Sequence, residues 1–598
     1  MRDFITAMIL VSLLGTPLVS GATPPANWDS SRYILVDEVK PEMEAYCLTV
    51  FEGDKVEKFP LKVLSVVRQA NPARHMILVI GTDERFKHVG SVHGCSGSPV
   101  YIDGRMAGAL AAGWDGSIDP LYLVTPIEDM LPIGEGKEKT ITHSNTTSYV
   151  ELSAPLNIKA IAEKAMTDWA RSIPHKPKMP LVTNLSPQAC SQLSETFSSA
   201  GWIPLQAGEL AQASNQSQSK SVFEPGGVLI LPLCSGDIRM AVTGTVTEVV
   251  GDKVYGFGHP FNGIGAVELP MAAGKIHTVI ATRDNSFKLG SAGEVAGTLR
   301  FDQECGVVGF AGPIPKLIDI AVNVKRFDDP EQRTFHCKVV RDRSLTPRIL
   351  RSVVLGAALF QGELPQEHAV SYHYNVLLEN GRTIEFKGIS SGNSVITPAG
   401  ELMSLAAALM NNPFQQMPPD KITLDIEITP KNLAVSLWDA RLSDNVVKPG
   451  QTVTIQAALK GFRSEPIPFT IELPIPQDCP DGKYQLQILG SDAYQSFLNR
   501  TVPQRFTVVD AQSLLDGFNR VLNIPQDRLF VCLPISQSGL AVRNTELPNL
   551  PATRMMVLAD AKRIQPMTPY TNFVETSIQT GLIASGSAAI ELTVDKNK

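Results

Sequence analysis

Two stretches of this chain, Tyr33 to Leu131 and Gly227 to about Val324, are written as short apolar alternations broken by turn signals. Ile102-Asp103-Gly104-Arg105 is an Asp-Gly hairpin signal, Phe51-Glu52-Gly53-Asp54-Lys55 is a second turn, and Gly251-Asp252 separates Val249-Val250 from Val254-Tyr255. A period of two puts alternate side chains on opposite faces of a strand, and Asp-Gly tolerates the positive φ angles of a two-residue hairpin. Both stretches are therefore predicted to be small antiparallel β units. Residues 48–56 (LTVFEGDKV) and 246–254 (VTEVVGDKV) are alike, which suggests an old duplication, although convergence of two hairpins explains the likeness nearly as well.

The chain between and beyond these units reads differently. A helical stretch from Leu156 to Arg171 gives way to a proline-rich link over 173–180, and residues 212–222, rich in Ser, Gln and Asn, read as a loop. Ser186-Pro187 opens a helix whose Leu193 and Phe197 are one turn apart and whose end is marked by Gly201, by N-cap, first-turn proline and C-terminal glycine chemistry. Helices are also predicted after Thr346-Pro347 and Thr397-Pro398. Residues 420–508 alternate like the strands of a sandwich, with a turn at Lys448-Pro449-Gly450-Gln451. Over 511–523, Leu514, Leu515, Phe518, Val521 and Leu522 share one helical face, which reads as core.

With 598 residues and 43% hydrophobic content, the chain exceeds what one core accommodates. The predicted class is mainly β with some α: two β-barrel units separated by an α-containing insert, then a β-sandwich-rich C-terminal region. The predicted boundaries are a signal peptide over 1–22, β units over 33–135 and 223–335 around an insert over 136–222, a mixed region over 336–418, a sandwich over 419–509, and a C-terminal helix and β region over 510–598.

Residues 4–15 form a short apolar run after Arg2 and before Ser20-Gly21-Ala22, so cleavage after Ala22 and a periplasmic or secreted location are expected. No later run reaches about 18 apolar residues, so no transmembrane anchor is expected after cleavage. The net charge of -7 comes from 53 basic and 60 acidic residues with no long run of either sign, which argues against nucleic acid as a partner. Eight cysteines with no C-x-x-C pair disfavour zinc-ribbon and thioredoxin chemistry; export permits disulfides but leaves their pairing open. No metal or organic cofactor is expected.

The chemistry-bearing segment is Gly94-Cys95-Ser96-Gly97-Ser98-Pro99. A serine becomes a nucleophile where a base removes its proton and amides await the oxyanion, and flanking glycines let the backbone turn sharply enough to expose those amides. Alone, such a tetrapeptide is more often an ordinary turn. Cys95 is a second possible nucleophile in the same turn. His259, in Gly256-Phe257-Gly258-His259-Pro260, is one candidate base, with His75, His88, His93 and His277 also available.

Residues 94–110 (GCSGSPVYIDGRMAGAL) resemble the SpoIVB sporulation peptidase family, whose pattern is Gly-Met-Ser-Gly-Ser-Pro, a strand, Asn/Asp-Gly-Lys and Leu-Ile-Gly-Ala. Thr82-Asp83-Glu84-Arg85 is similar to the family's Thr-Asp-Pro-Arg, residues 125–131 to the end of that domain, and Thr243–Thr247 with Tyr255–Pro260 to the segments around its histidine. Residues 287–297 (FKLGSAGEVAG) look like its Gly-x-Pro-Gly-Glu-x-x-Gly loop, with Ala292 where proline is usual. The resemblance implies chymotrypsin-like barrels, Ser96 as nucleophile, His259 as general base, Asp83 as the acid, and the Gly94 and Ser96 amides as oxyanion hole. Asp252, Asp284 or Asp302 as the acid, or a Ser-His dyad, remain open. The chain departs from the family in placing the serine block before the histidine block and in having Cys95 for methionine. The expected function is an exported serine endopeptidase acting on a protein or peptide. The rival is a non-catalytic envelope scaffold that keeps the peptidase fold and contacts an envelope partner through its C-terminal β region.

Overall fold

The computed structural model describes Pro25 and the chain from Trp28 on, except 136–154, 165–178, 207–221, 559–566 and scattered shorter positions, Asp284 among them. The predicted signal peptide, much of the helix predicted over 156–171, most of the proline-rich link and nearly all of the 212–222 loop thus lie outside the described residues.

Strands Glu44–Thr49, Glu57–Asn71, Arg74–Gly81, Pro99–Ile102, Arg105–Ala112 and Leu121–Pro126 close into a barrel. Numbered along the chain, they run 1-2-3-6-5-4 around it, the fourth returning to pair with the first through Cys47 and Val100. Strands Val228–Gly236, Met240–Val250, Lys253–Gly256, Gly265–Ile280, Ser286–Gln303 and Gly306–Ala311 form a second ring in the same order, the fourth closing on the first at Ile230 and Ala272. The predicted hairpins are present: Asp103 and Gly104 have φ of 51° and 77°, and Gly251 has φ of 64°. The fold is thus mainly β, with two chymotrypsin-like barrels.

Identical strand order supports the duplication, but the two similar segments do not occupy equivalent places. Residues 48–56 join the first and second strands of their barrel, whereas 246–254 span the turn between the second and third strands of theirs. Their likeness is hairpin chemistry recurring at two sites.

The second barrel is the hub of a larger sheet. Arg333–Val340 pairs with its first strand and carries Leu317–Arg326, Pro419–Thr429, Ala369–Leu378 and Thr383–Ser391 beyond it. Helices Leu345–Ala358 and Ile396–Asn411 begin at the two predicted Thr-Pro signals and pack on each other and on this sheet. Pro419–Thr429 alternates as read, but its partners are Leu317–Arg326 and Ala369–Leu378 rather than the sandwich. Alternation states which face is buried, not which strand lies alongside.

On the barrel's other side, Met179–Thr183 pairs with Met240–Val250 and carries Trp202–Gln206. Between those two strands the Ser186 hydroxyl caps Pro187–Gln192 and Gly201, at φ 73°, ends Ser194–Ala200, so the predicted helix is two short ones meeting at Leu193.

The sandwich is formed by the sheets containing Ala434–Leu442 and Gly482–Leu489, and the last strands, Ile583–Ser585 and Ser587–Val594, complete both. Asp510 caps helix Ala511–Leu522, whose predicted apolar face is buried. Among the described residues no helix is long and apolar enough to cross a membrane.

Candidate active site

Ser96 and His259 come from the same place in the two barrels. Each lies in the connection between the third and fourth strands: Ser96 between Arg74–Gly81 and Pro99–Ile102, His259 between Lys253–Gly256 and Gly265–Ile280. Like connections of two like barrels face each other, which is how motifs 163 residues apart in reversed order reach one location.

The serine turn is held by the opposite barrel. Gly94 and Gly97 both have φ of 94°. The Thr245 amide donates to Ser96 O at 2.8 Å, Thr245 Oγ1 to Gly94 O at 2.8 Å, and Thr247 Oγ1 to Gly97 O at 2.7 Å. Upstream, Val92 and His93 pair in parallel with Ser286 and Phe287. A Cβ on Gly97 would sit 2.0 Å from Thr245 O and 2.5 Å from Phe257 N, both backbone atoms unable to swing aside. Overpacking and the left-handed φ act together, so Gly97→Ala is expected to destabilise the fold by about 3 kcal/mol in a denaturant melt. Gly104→Ala, with open space around its Cβ, serves as the control for φ alone.

The histidine connection is strained and then pinned. Phe257 and Gly258 have φ of 66° and 68°, and the Thr125 hydroxyl donates to Gly258 O at 2.6 Å. A left-handed phenylalanine persists only where its surroundings over-determine it. Asp302, fully buried, accepts from the Phe261 and Asn262 amides at 2.7 Å each and from Ile264 at 3.4 Å. Burial raises its carboxyl to about 6 despite these bonds.

His259 Nδ1 lies 2.8 Å from Pro260 O. A carbonyl only accepts, so Nδ1 carries the proton and Nε2 keeps its lone pair. Burial pushes this imidazole below its ordinary 6.5, and nearby His93 adds to the shift. At neutral pH it is an uncharged base. Ser96 and His259 line one cleft of about 350 Å³, with Val92, Leu110, Ala111, Met179, Val242 and Phe257 among its walls. Among the described residues Ser96 Oγ makes no hydrogen bond to protein, and it shares the lining of this cleft with His259.

The other sequence candidates fall elsewhere. Asp83 caps helix Glu84–Val89, accepting from the Arg85 amide at 2.8 Å and pairing with its guanidinium at 3.2 Å. Among the described residues no hydrogen bond joins it to His259, and its carboxylate is engaged in local capping. Asp252 is exposed on its hairpin, and Asp284 lies outside the described residues. Cys95 is fully buried and burial raises its thiol, the reverse of what a nucleophile requires. His88 is exposed and His277 is exposed beside Ser291, while His93 lines the cleft with Nε2 at 3.3 Å from Asn285 Oδ1. Among the described residues no cluster suits a metal ion.

Residues 27–114 match the family model described as SpoIVB peptidase S55, a span that contains the Ser96 turn and ends before His259. No curated protein and no solved structure matches the chain.

Proposed function

Because residues 27–114 match the SpoIVB peptidase S55 family model, we propose that this chain hydrolyses peptide bonds through an acyl-enzyme. The carrying observation is that Ser96 and His259 line one cleft from equivalent connections of two like barrels. Ser96 Oγ bonds to the scissile carbonyl carbon as its proton passes to His259 Nε2. The C–N bond breaks and the proton goes to the leaving amine; water, deprotonated by the same nitrogen, then releases the acid and restores Ser96. The Ser96 and Gly94 amides receive the oxyanion. Asp302, in place of Asp83, fixes the histidine connection through its backbone amides, leaving Ser96 and His259 as a dyad whose tautomer is set by Pro260 O.

The apolar cleft walls favour an apolar substrate side chain beside the scissile bond. The leader-like residues 1–22 support a site of action outside the cytoplasm.

The test is a fluorophosphonate, from which an activated serine displaces fluoride. The full chain is expected to form one adduct, mapped by peptide mass to Ser96; no adduct, or one on another residue, would overturn the assignment and return the scaffold reading. The labelling rate should fall on acidification with a midpoint below 6.5, because protonating the depressed imidazole removes the base. A rate that does not fall at any acid pH at which the protein stays folded would exclude His259 as that base.

A further inference from the structure

Lys288 belongs to the strand Ser286–Gln303 of the second barrel and is 2% exposed, yet it lies beneath the serine turn of the first. A Cβ on Gly94 would be 3.1 Å from Lys288 Cβ. Lys288 Nζ donates to Thr49 Oγ1 at 2.6 Å and to Thr245 Oγ1 at 3.3 Å, and reaches the Cys95 thiol. Among the described residues, hydroxyls and thiols rather than a carboxylate surround it. A buried ammonium without a counter-charge is costly, so its retention calls for something it does in that position.

Its protons order two hydrogen-bond chains. Thr49 Oγ1 is 2.9 Å from Ser98 Oγ, which is 2.6 Å from Cys95 O. Nζ can only donate and Cys95 O can only accept, so the intervening hydroxyl protons run one way, from lysine to carbonyl. On the other branch, Thr245 Oγ1 donates to Gly94 O at 2.8 Å. Both carbonyls before the nucleophile are thereby drawn into the protein. In a trans peptide the N–H points opposite to the C=O, so drawing Cys95 O inward turns the Ser96 amide out toward the cleft.

We propose that Lys288 is a positioning residue that holds the serine turn in its oxyanion-binding form, acting through Thr49 and Ser98 on Cys95 O and through Thr245 on Gly94 O. This rests on Ser96 being the nucleophile.

The experiment measures fluorophosphonate labelling of the full chain as a saturating rate and a half-saturating concentration, alongside thermal melts. Wild type labelling at Ser96, with Ser96→Ala silent, secures the underlying reading; wild type failing to label sinks that reading itself. Given a labelled wild type, Lys288→Met is expected to cut the saturating rate about 10²- to 10³-fold, with half-saturation changed less than about threefold and melting unchanged or higher. Thr49→Val should behave likewise, and Thr49→Ser, which keeps the hydroxyl, should recover most of the rate. That pair decides the matter if Lys288→Met does not fold. Wild-type rates in Lys288→Met and Thr49→Val, or equal losses in Thr49→Val and Thr49→Ser, would overturn the positioning role while leaving Ser96 in place.

Discussion

Ser96→Ala is expected to abolish labelling and turnover, a loss on the order of 10⁶-fold if the nucleophile carries the reaction as it does in serine hydrolases. Folding should be untouched, with stability within about 0.5 kcal/mol of wild type, because Ser96 Oγ holds nothing in place among the described residues and its backbone bonds survive the change. That combination separates a chemical role from a structural one. His259→Ala should cost nearly as much, and the double variant little more, since nucleophile and base act as one unit. Measurement is by peptide hydrolysis where a substrate has been found and by fluorophosphonate labelling in any case. A Ser96→Ala protein that keeps wild-type activity would remove the dyad altogether, and activity lost together with the fold would show that the turn is structural.

How far the site can be read before folding differs residue by residue. Ser96 and His259 announce themselves through their glycine surroundings, and the structure assigns both glycine-rich turns a left-handed backbone. That the two line one cleft cannot be read locally, because it depends on both connections joining strands three and four of barrels with one shared order. Asp83 is ambiguous in sequence because an Asp two residues before an Arg satisfies helix capping as readily as catalysis, and in the fold it caps Glu84–Val89. Lys288 is hidden by inverted alternation: Phe287 and Leu289 look like the core face of a strand, but Ser286, Lys288 and Gly290 are the buried ones. Asp302 is one of several carboxylates near the histidine segment in sequence, and only a hairpin beside residues 261–264 gives it its partners. Pro419–Thr429 shows the same limit on a larger scale, since its strand character is local but its sheet is not.

Asp302→Asn is the second change with a large expected effect, and it acts on stability and chemistry with separable signs. In the wild type, Oδ1 accepts from Phe261 and Oδ2 from Asn262 and Ile264, so an asparagine must turn its NH₂ toward an amide donor on one side. The connection carrying His259 then shifts, and a displacement of about 1 Å at a base lowers the rate roughly 10²-fold. The carboxyl is raised from 3.8 to about 6 by burial, so the folded state binds its proton more tightly than the unfolded state does. Its contribution is fully present below the unfolded value near 4 and is lost as pH rises through about 6; integrated, this is about 3 kcal/mol. Asparagine has no such dependence. In urea melts, the stability of wild type relative to Asp302→Asn should therefore fall by about 2.5 kcal/mol between pH 4 and pH 7, while the labelling rate of the variant stays near one hundredth of wild type at pH 7. A stability difference independent of pH would mean that the carboxyl is not held in a dry site. An unchanged rate would mean that His259 keeps its place without it.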